Sequence, residues 1–99
     1  MGSGPTPWEM KLAELLRESV PGLESVQLSN TGSEATAHAI RLSRAWTGRD
    51  DLIVILGGYN GWHNDVARTV MPALADIGPR VSPGEYRFLP LSAGIPLGV

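Results

Sequence analysis

Two short segments of this chain carry side chains suited to chemistry. The first is Asn30-Thr31-Gly32-Ser33-Glu34, small and polar, placed where a helix begins. A helix start offers unpaired N–H groups and the positive end of the helix dipole, and so attracts an anion such as phosphate. Gly32 lets the backbone approach that anion without a side chain in the way, and Ser33 adds a hydroxyl donor. The same residues also spell a capping box, with Thr31 as the cap and Glu34 reciprocating. The second segment is Gly57-Gly58-Tyr59-Asn60-Gly61, which follows the apolar run Leu52-Ile53-Val54-Ile55-Leu56. A rigid aromatic at the carboxyl end of a strand can stack on a planar ligand.

Other constellations are weak. The glycines at 57, 58 and 61 do not form the G-x-G-x-x-G spacing of a dinucleotide site. His38 and His63 have no third ligand at metal-site spacing, so no metal site is expected. No Ser/His/Asp set can be assembled, and no catalytic residue is assigned. The turns Asp50-Asp51 and Asn64-Asp65 read as solvated loop starts.

These segments need elements to hold them. Thr6-Pro7-Trp8-Glu9 predicts a helix start, with Leu12, Leu15, Leu16 and Val20 at helical spacing and Pro21-Gly22 as the stop, giving a leading helix over 5–20. Ser25–Leu28 reads as a short strand. A second helix starts near 31–33 and runs to about Thr47, where Gly48 ends it, with Ala35, Ala39, Leu42 and Trp46 as its buried stripe. Leu52–Leu56 shows no polar alternation and reads as a strand covered on both faces. Residues 25–65 thus form a βαβ core with parallel strands. Residues 66–99 are a Pro/Gly-rich loop region in which a helix within 65–77 is interrupted by Pro72, and Arg87-Phe88-Leu89 is a short strand candidate.

At 99 residues the chain has room for one small domain. The net charge of -2 gives no electrostatic case for nucleic acid or an anionic membrane. Cysteine is absent, which excludes disulfides and thiolate chemistry and suits a reducing cytoplasm. No signal-peptide pattern and no membrane-length apolar run are present. One βαβ unit leaves long strand edges unpaired, so the chain reads as a piece of a larger α/β domain.

The order of these motifs resembles the class III pyridoxal-phosphate-dependent aminotransferases, a family that includes glutamate-1-semialdehyde aminomutase. The likeness rests on Asn30-Thr31-Gly32-Ser33-Glu34-Ala35-Thr36, on Ala39-Ile40-Arg41-Leu42-Ser43-Arg44 with Trp46-Thr47-Gly48-Arg49, and on Gly57-Gly58-Tyr59-Asn60-Gly61, where Asn60 stands in place of the family's usual histidine. Gly94-Ile95-Pro96-Leu97-Gly98-Val99 adds a looser match. The resemblance implies a partial type I PLP-transferase large domain. It implies pyridoxal 5'-phosphate as cofactor, its phosphate held by Gly32 and Ser33 and its ring stacked by Tyr59. It also implies a small-molecule amino donor and carbonyl acceptor and a cytoplasmic homodimer in the complete enzyme. The family's covalent lysine and its pyridine-binding acid lie far downstream. Here Lys11 is the sole lysine and matches no such motif, so the isolated chain is expected to be inactive. The alternative is a non-catalytic βαβ module that binds a phosphate-bearing ligand or a partner subunit.

Overall fold

Thr6 sits in an extended conformation and accepts a hydrogen bond from the Glu9 N–H, while the Glu9 carboxylate accepts from the Thr6 N–H. With Pro7 at the first helical position, this reciprocal cap opens α1, Pro7–Ser19. The computed structural model describes residues 6–82 and 85–96. Pro5 of the expected leading helix and the Leu97-Gly98-Val99 end of the last motif lie outside the described residues.

The chain divides into two units, Met1–Asn30 and Thr31–Val99. In the first, α1 closes where the Val20 N–H reaches the Leu16 carbonyl, and Gly22, at φ 81°, turns the chain. The apolar side chains Trp8, Leu12 and Leu15 are exposed, and the Lys11 ammonium lies 4.8 Å from the Trp8 ring centroid. That is cation–π geometry on a solvated face.

The second unit opens with α2, Gly32–Thr47. Thr31 and Glu34 form the second reciprocal cap, and Gly48, left-handed at φ 68°, closes the helix through its N–H to the Arg44 carbonyl at 2.9 Å. The face of α2 that packs is not the one its alanines suggest. Ser33 is buried, and Thr36, Ala37, Ile40 and Arg44 are half-buried. By contrast Ala35, Ala39 and Leu42 are exposed, and Trp46 is 87% exposed. The expected buried stripe is therefore corrected to the opposite side of the helix. What covers α2 is the returning loop 60–66, which meets the Ser33–Arg44 side and its polar side chains.

Among the described residues no strand forms. Ser25–Leu28 and Leu52–Leu56 have no ladder partner, and Ile53 is 95% exposed. A strand is defined by its neighbours, and a single apolar run cannot pair with itself. Gly57, at φ 88°, occupies the third position of a turn closed by the Gly58 N–H to the Ile55 carbonyl at 3.0 Å, and that turn delivers Tyr59.

The later part of this unit holds its apolar core, Val66 at 3% and Ala67 at 2% exposure. The expected strand at Arg87-Phe88-Leu89 does not form; the next residue makes an isolated antiparallel bridge, Arg68 opposite Pro90. The Thr69 N–H donates to the Leu89 carbonyl at 2.9 Å, and the Leu91 N–H donates to the Ala67 carbonyl at 3.1 Å. Pro90 fits because the directly opposed pair exchanges no hydrogen bonds, so its missing N–H costs nothing there. After Pro72 a single turn, α3 at Leu74–Ile77, ends at Gly78.

Candidate functional site

The capping box on α2 settles the partners of its first N–H groups. The Glu34 N–H donates to Thr31 Oγ1 at 3.1 Å, and the Ala35 N–H donates to the Thr31 carbonyl at 3.1 Å. The Glu34 carboxylate turns back to accept from the Thr31 N–H at 3.0 Å. Glu34 therefore serves the helix, as its place in the motif suggests. The N–H groups of Gly32 and Ser33 have no acceptor among the described residues. A Cβ placed on Gly32 would meet nothing within 4 Å, so the floor of the turn is open.

The turn after Ile55 carries Tyr59 to the same place. Gly32, Ser33 and Tyr59 line one cleft of about 420 Å³, together with Thr31, Thr36, Asn60 and Gly61. Tyr59 is 64% exposed, and no described ring stacks on it. The three residues singled out in the sequence thus face one space.

What brings them together is not visible as a motif. Ser33 is 9% exposed, and its Oγ accepts a hydrogen bond from the Trp62 N–H at 3.1 Å, which leaves its own hydroxyl hydrogen to donate. Gly61, buried and at φ 127°, lies against Ser33 so closely that a Cβ there would stand 3.0 Å from Ser33 Oγ. One turn further along α2, Thr36 Oγ1 lies 2.8 Å from the Asn60 carbonyl, 3.0 Å from the Ser33 carbonyl and 3.1 Å from His63 Nε2. At the far end of the helix Arg44 reaches both carboxylate oxygens of Asp65 at 3.4 Å and donates from Nε to the Asp50 carbonyl at 2.9 Å. Asp65 is thus tied to α2 and is not a freely solvated loop acid. The sequence signal for this seam is the polar spacing of Ser33, Thr36 and Arg44 on one helical face. His38 is exposed on α2.

A larger cleft of about 750 Å³ lies in the first unit between α1 and Val26–Asn30. Its only acid, Glu9, already caps α1, and it holds no base or nucleophile-and-base pair. The smaller cleft at Gly32, Ser33 and Tyr59 therefore has the stronger claim. Among the described residues no three His, Asp or Glu side chains come together for a metal ion, and no helix is long and apolar enough to cross a membrane.

No protein-family profile and no solved structure matches the chain. Curated protein sequences do. The chain is 46% identical over 80 residues to a glutamate-1-semialdehyde 2,1-aminomutase of Methanopyrus kandleri, covering 81% of this chain and 19% of that protein. It is 46% identical over 61 residues to one of Haloquadratum walsbyi, covering 62% of this chain and 14% of that protein. It is 38% identical over 95 residues to a glutamate-1-semialdehyde 2,1-aminomutase 2 of Bacillus mycoides, covering 96% of this chain and 20% of that protein. The chain spans at most about a fifth of the length of these relatives. Over most of its own length, this chain belongs to the family of the glutamate-1-semialdehyde 2,1-aminomutases.

Proposed function

We propose that this chain is part of a pyridoxal-phosphate-dependent aminomutase or aminotransferase, in which it holds the cofactor's phosphate and ring. The observation that carries the reading is the meeting of Gly32, Ser33 and Tyr59 in one cleft, in a chain homologous to aminomutases. The residues present fit the group. The N–H groups of Gly32 and Ser33, without an acceptor among the described residues, and the Ser33 hydroxyl suit three phosphate oxygens, and the exposed Tyr59 ring suits a planar heterocycle. When bound, the cofactor supplies an electron sink for a carbanion at the amine-bearing carbon.

In this reading Gly32 and Ser33 anchor the phosphate, Tyr59 covers one face of the ring, and Glu34 stays with its helix. The substrate class is a small amino aldehyde or keto compound, in keeping with the relatives' name. The surrounding architecture is a type I large domain whose parallel βαβ core is completed by strands beyond this chain, in a cytoplasmic homodimer. The exposed Leu52–Leu56 run supports that need for neighbours.

This chain alone does not carry out the reaction. Its sole lysine, Lys11, sits on α1 over Trp8 in the other unit. The test is binding without turnover. Titrate the chain with pyridoxal phosphate, with pyridoxal and with inorganic phosphate, following tryptophan fluorescence and cofactor absorbance. The expected order of affinity is pyridoxal phosphate first, with pyridoxal weaker by about tenfold or more, as loss of charge-assisted hydrogen bonds requires. Pyridoxal binding as tightly as its phosphate would overturn the assignment of the turn. Amino-group transfer by the isolated chain would overturn the claim of inactivity.

A further inference from the structure

We infer that Thr36 is a positioning residue, a hydroxyl latch that fixes the Tyr59 loop against the first turn of α2, and that it acts through the proton on His63 Nε2. Thr36 Oγ1 has one hydrogen and two lone pairs. Two carbonyls lie within bonding distance of it, Asn60 at 2.8 Å and Ser33 at 3.0 Å. Neither carbonyl can donate, so the single hydrogen is committed to that pair. The remaining neighbour, His63 Nε2 at 3.1 Å, must then donate to the Thr36 oxygen. The latch therefore selects the imidazole tautomer protonated on Nε2.

The contacts run along consecutive loop residues. The Asn60 carbonyl meets Thr36, Gly61 lies on Ser33, the Trp62 N–H binds Ser33 Oγ, and the His63 ring returns to Thr36. Tyr59 immediately precedes this stitched segment and has no described hydrogen bond or ring contact of its own. Its position beside Gly32 is thus inherited from its neighbours. The contribution to cofactor binding rests on the function proposed above, whereas the latch itself does not.

The experiment uses the whole chain as wild type, Thr36→Val, Thr36→Ser, His63→Leu and His63→Gln. Nitrogen NMR of the neutral His63 ring, in which one nitrogen carries the proton, reads the tautomer. Amide exchange at Trp62 reads the seam, and titrations with pyridoxal phosphate and inorganic phosphate read the cleft. The wild type and Thr36→Ser are expected to carry the proton on Nε2. In Thr36→Val the tautomers mix, and Trp62 exchange rises about tenfold or more, because the loop loses both its hydrogen bonds to Thr36. Pyridoxal phosphate weakens by a similar factor, and by more than inorganic phosphate does, because the loop holds Tyr59 and the turn holds the phosphate.

A wild-type ring protonated on Nδ1, or a Thr36→Val seam that exchanges like the parent, overturns the latch. If Thr36→Val loses helix by circular dichroism, the histidine pair decides. His63→Leu loosens Trp62 and His63→Gln, whose amide can still donate, does not; equal behaviour of the two overturns the proposal. If the parent binds no pyridoxal phosphate, the proposed function falls, and the tautomer and Trp62 exchange still decide the latch.

Discussion

Gly61 and Ser33 are packed so closely that one more carbon would press on Ser33. A Cβ at Gly61 would stand 3.0 Å from Ser33 Oγ, 3.1 Å from its Cα and 3.2 Å from its Cβ. The backbone there is also at φ 127°, which L side chains rarely adopt. Gly61→Ala is expected to lift the loop off α2 and destabilise the second unit by about 1–3 kcal/mol. Urea unfolding followed by tryptophan fluorescence measures it, and a midpoint equal to the parent's would show that the loop is not docked.

Gly32→Ala is the converse case. Nothing lies within 4 Å of a Cβ there, and α2 begins at this residue. The fold is expected to gain about 0.4–1 kcal/mol, as a compatible glycine-to-alanine change does. The same methyl group stands on the floor of the cleft, so phosphate-ligand affinity is expected to fall. A variant more stable by thermal melt and weaker in pyridoxal phosphate titration separates folding from binding in a single substitution.

Asp65→Asn removes the acid that Arg44 reaches with two nitrogens. Both side chains are about a third exposed and the contacts are 3.4 Å long, so the pair is worth about 0.2–1 kcal/mol. The loss should shrink as salt is raised, because the Debye length falls to about 3 Å at 1 M. Arg44→Ala is expected to cost more than Asp65→Asn, since it also loses the Nε bond to the Asp50 carbonyl. Denaturant melts at two salt concentrations check both statements.

Thr6→Ala and Thr31→Ala each delete one reciprocal cap. Each is expected to cost about 0.5–2 kcal/mol of helix stability. Circular dichroism should show two separate losses that add in the double variant, because sites with no shared partner combine additively. Strong non-additivity would mean that the two helices melt as one.

The helices were readable because their signals are local. Thr6-Pro7-Trp8-Glu9 and Thr31-Gly32-Ser33-Glu34 each contain the whole cap within four residues, and Gly48 marks its own end. The buried face of α2 was not readable, because burial depends on what returns to cover it. Ala35, Ala39 and Leu42 have the right period for a sheet-facing stripe, but the element that arrives is the 60–66 loop, and it grips Ser33, Thr36 and Arg44 by hydrogen bonds. Hydrophobic periodicity carries no information about such a seam. The Leu52–Leu56 run was read from composition, whereas a ladder needs a partner strand. The motifs singled out Gly32, Ser33 and Tyr59, which line one cleft, but the geometry that joins them, Gly61 on Ser33 and Thr36 to His63, has no motif.

His63 faces two ways. Its ring meets Thr36 at the cleft, while its carbonyl accepts the N–H groups of Val66 and Ala67, at 3.1 Å and 3.0 Å. Those two are the best-buried apolar residues of the second unit. His63 thus joins the loop at the cleft to that buried pair. A ligand held in the cleft at a hundred times its dissociation constant should raise the unfolding free energy by about 2.7 kcal/mol. Damage to Ala67, which has no place in the cleft's lining, should reach the loop through the His63 carbonyl and register as weaker binding.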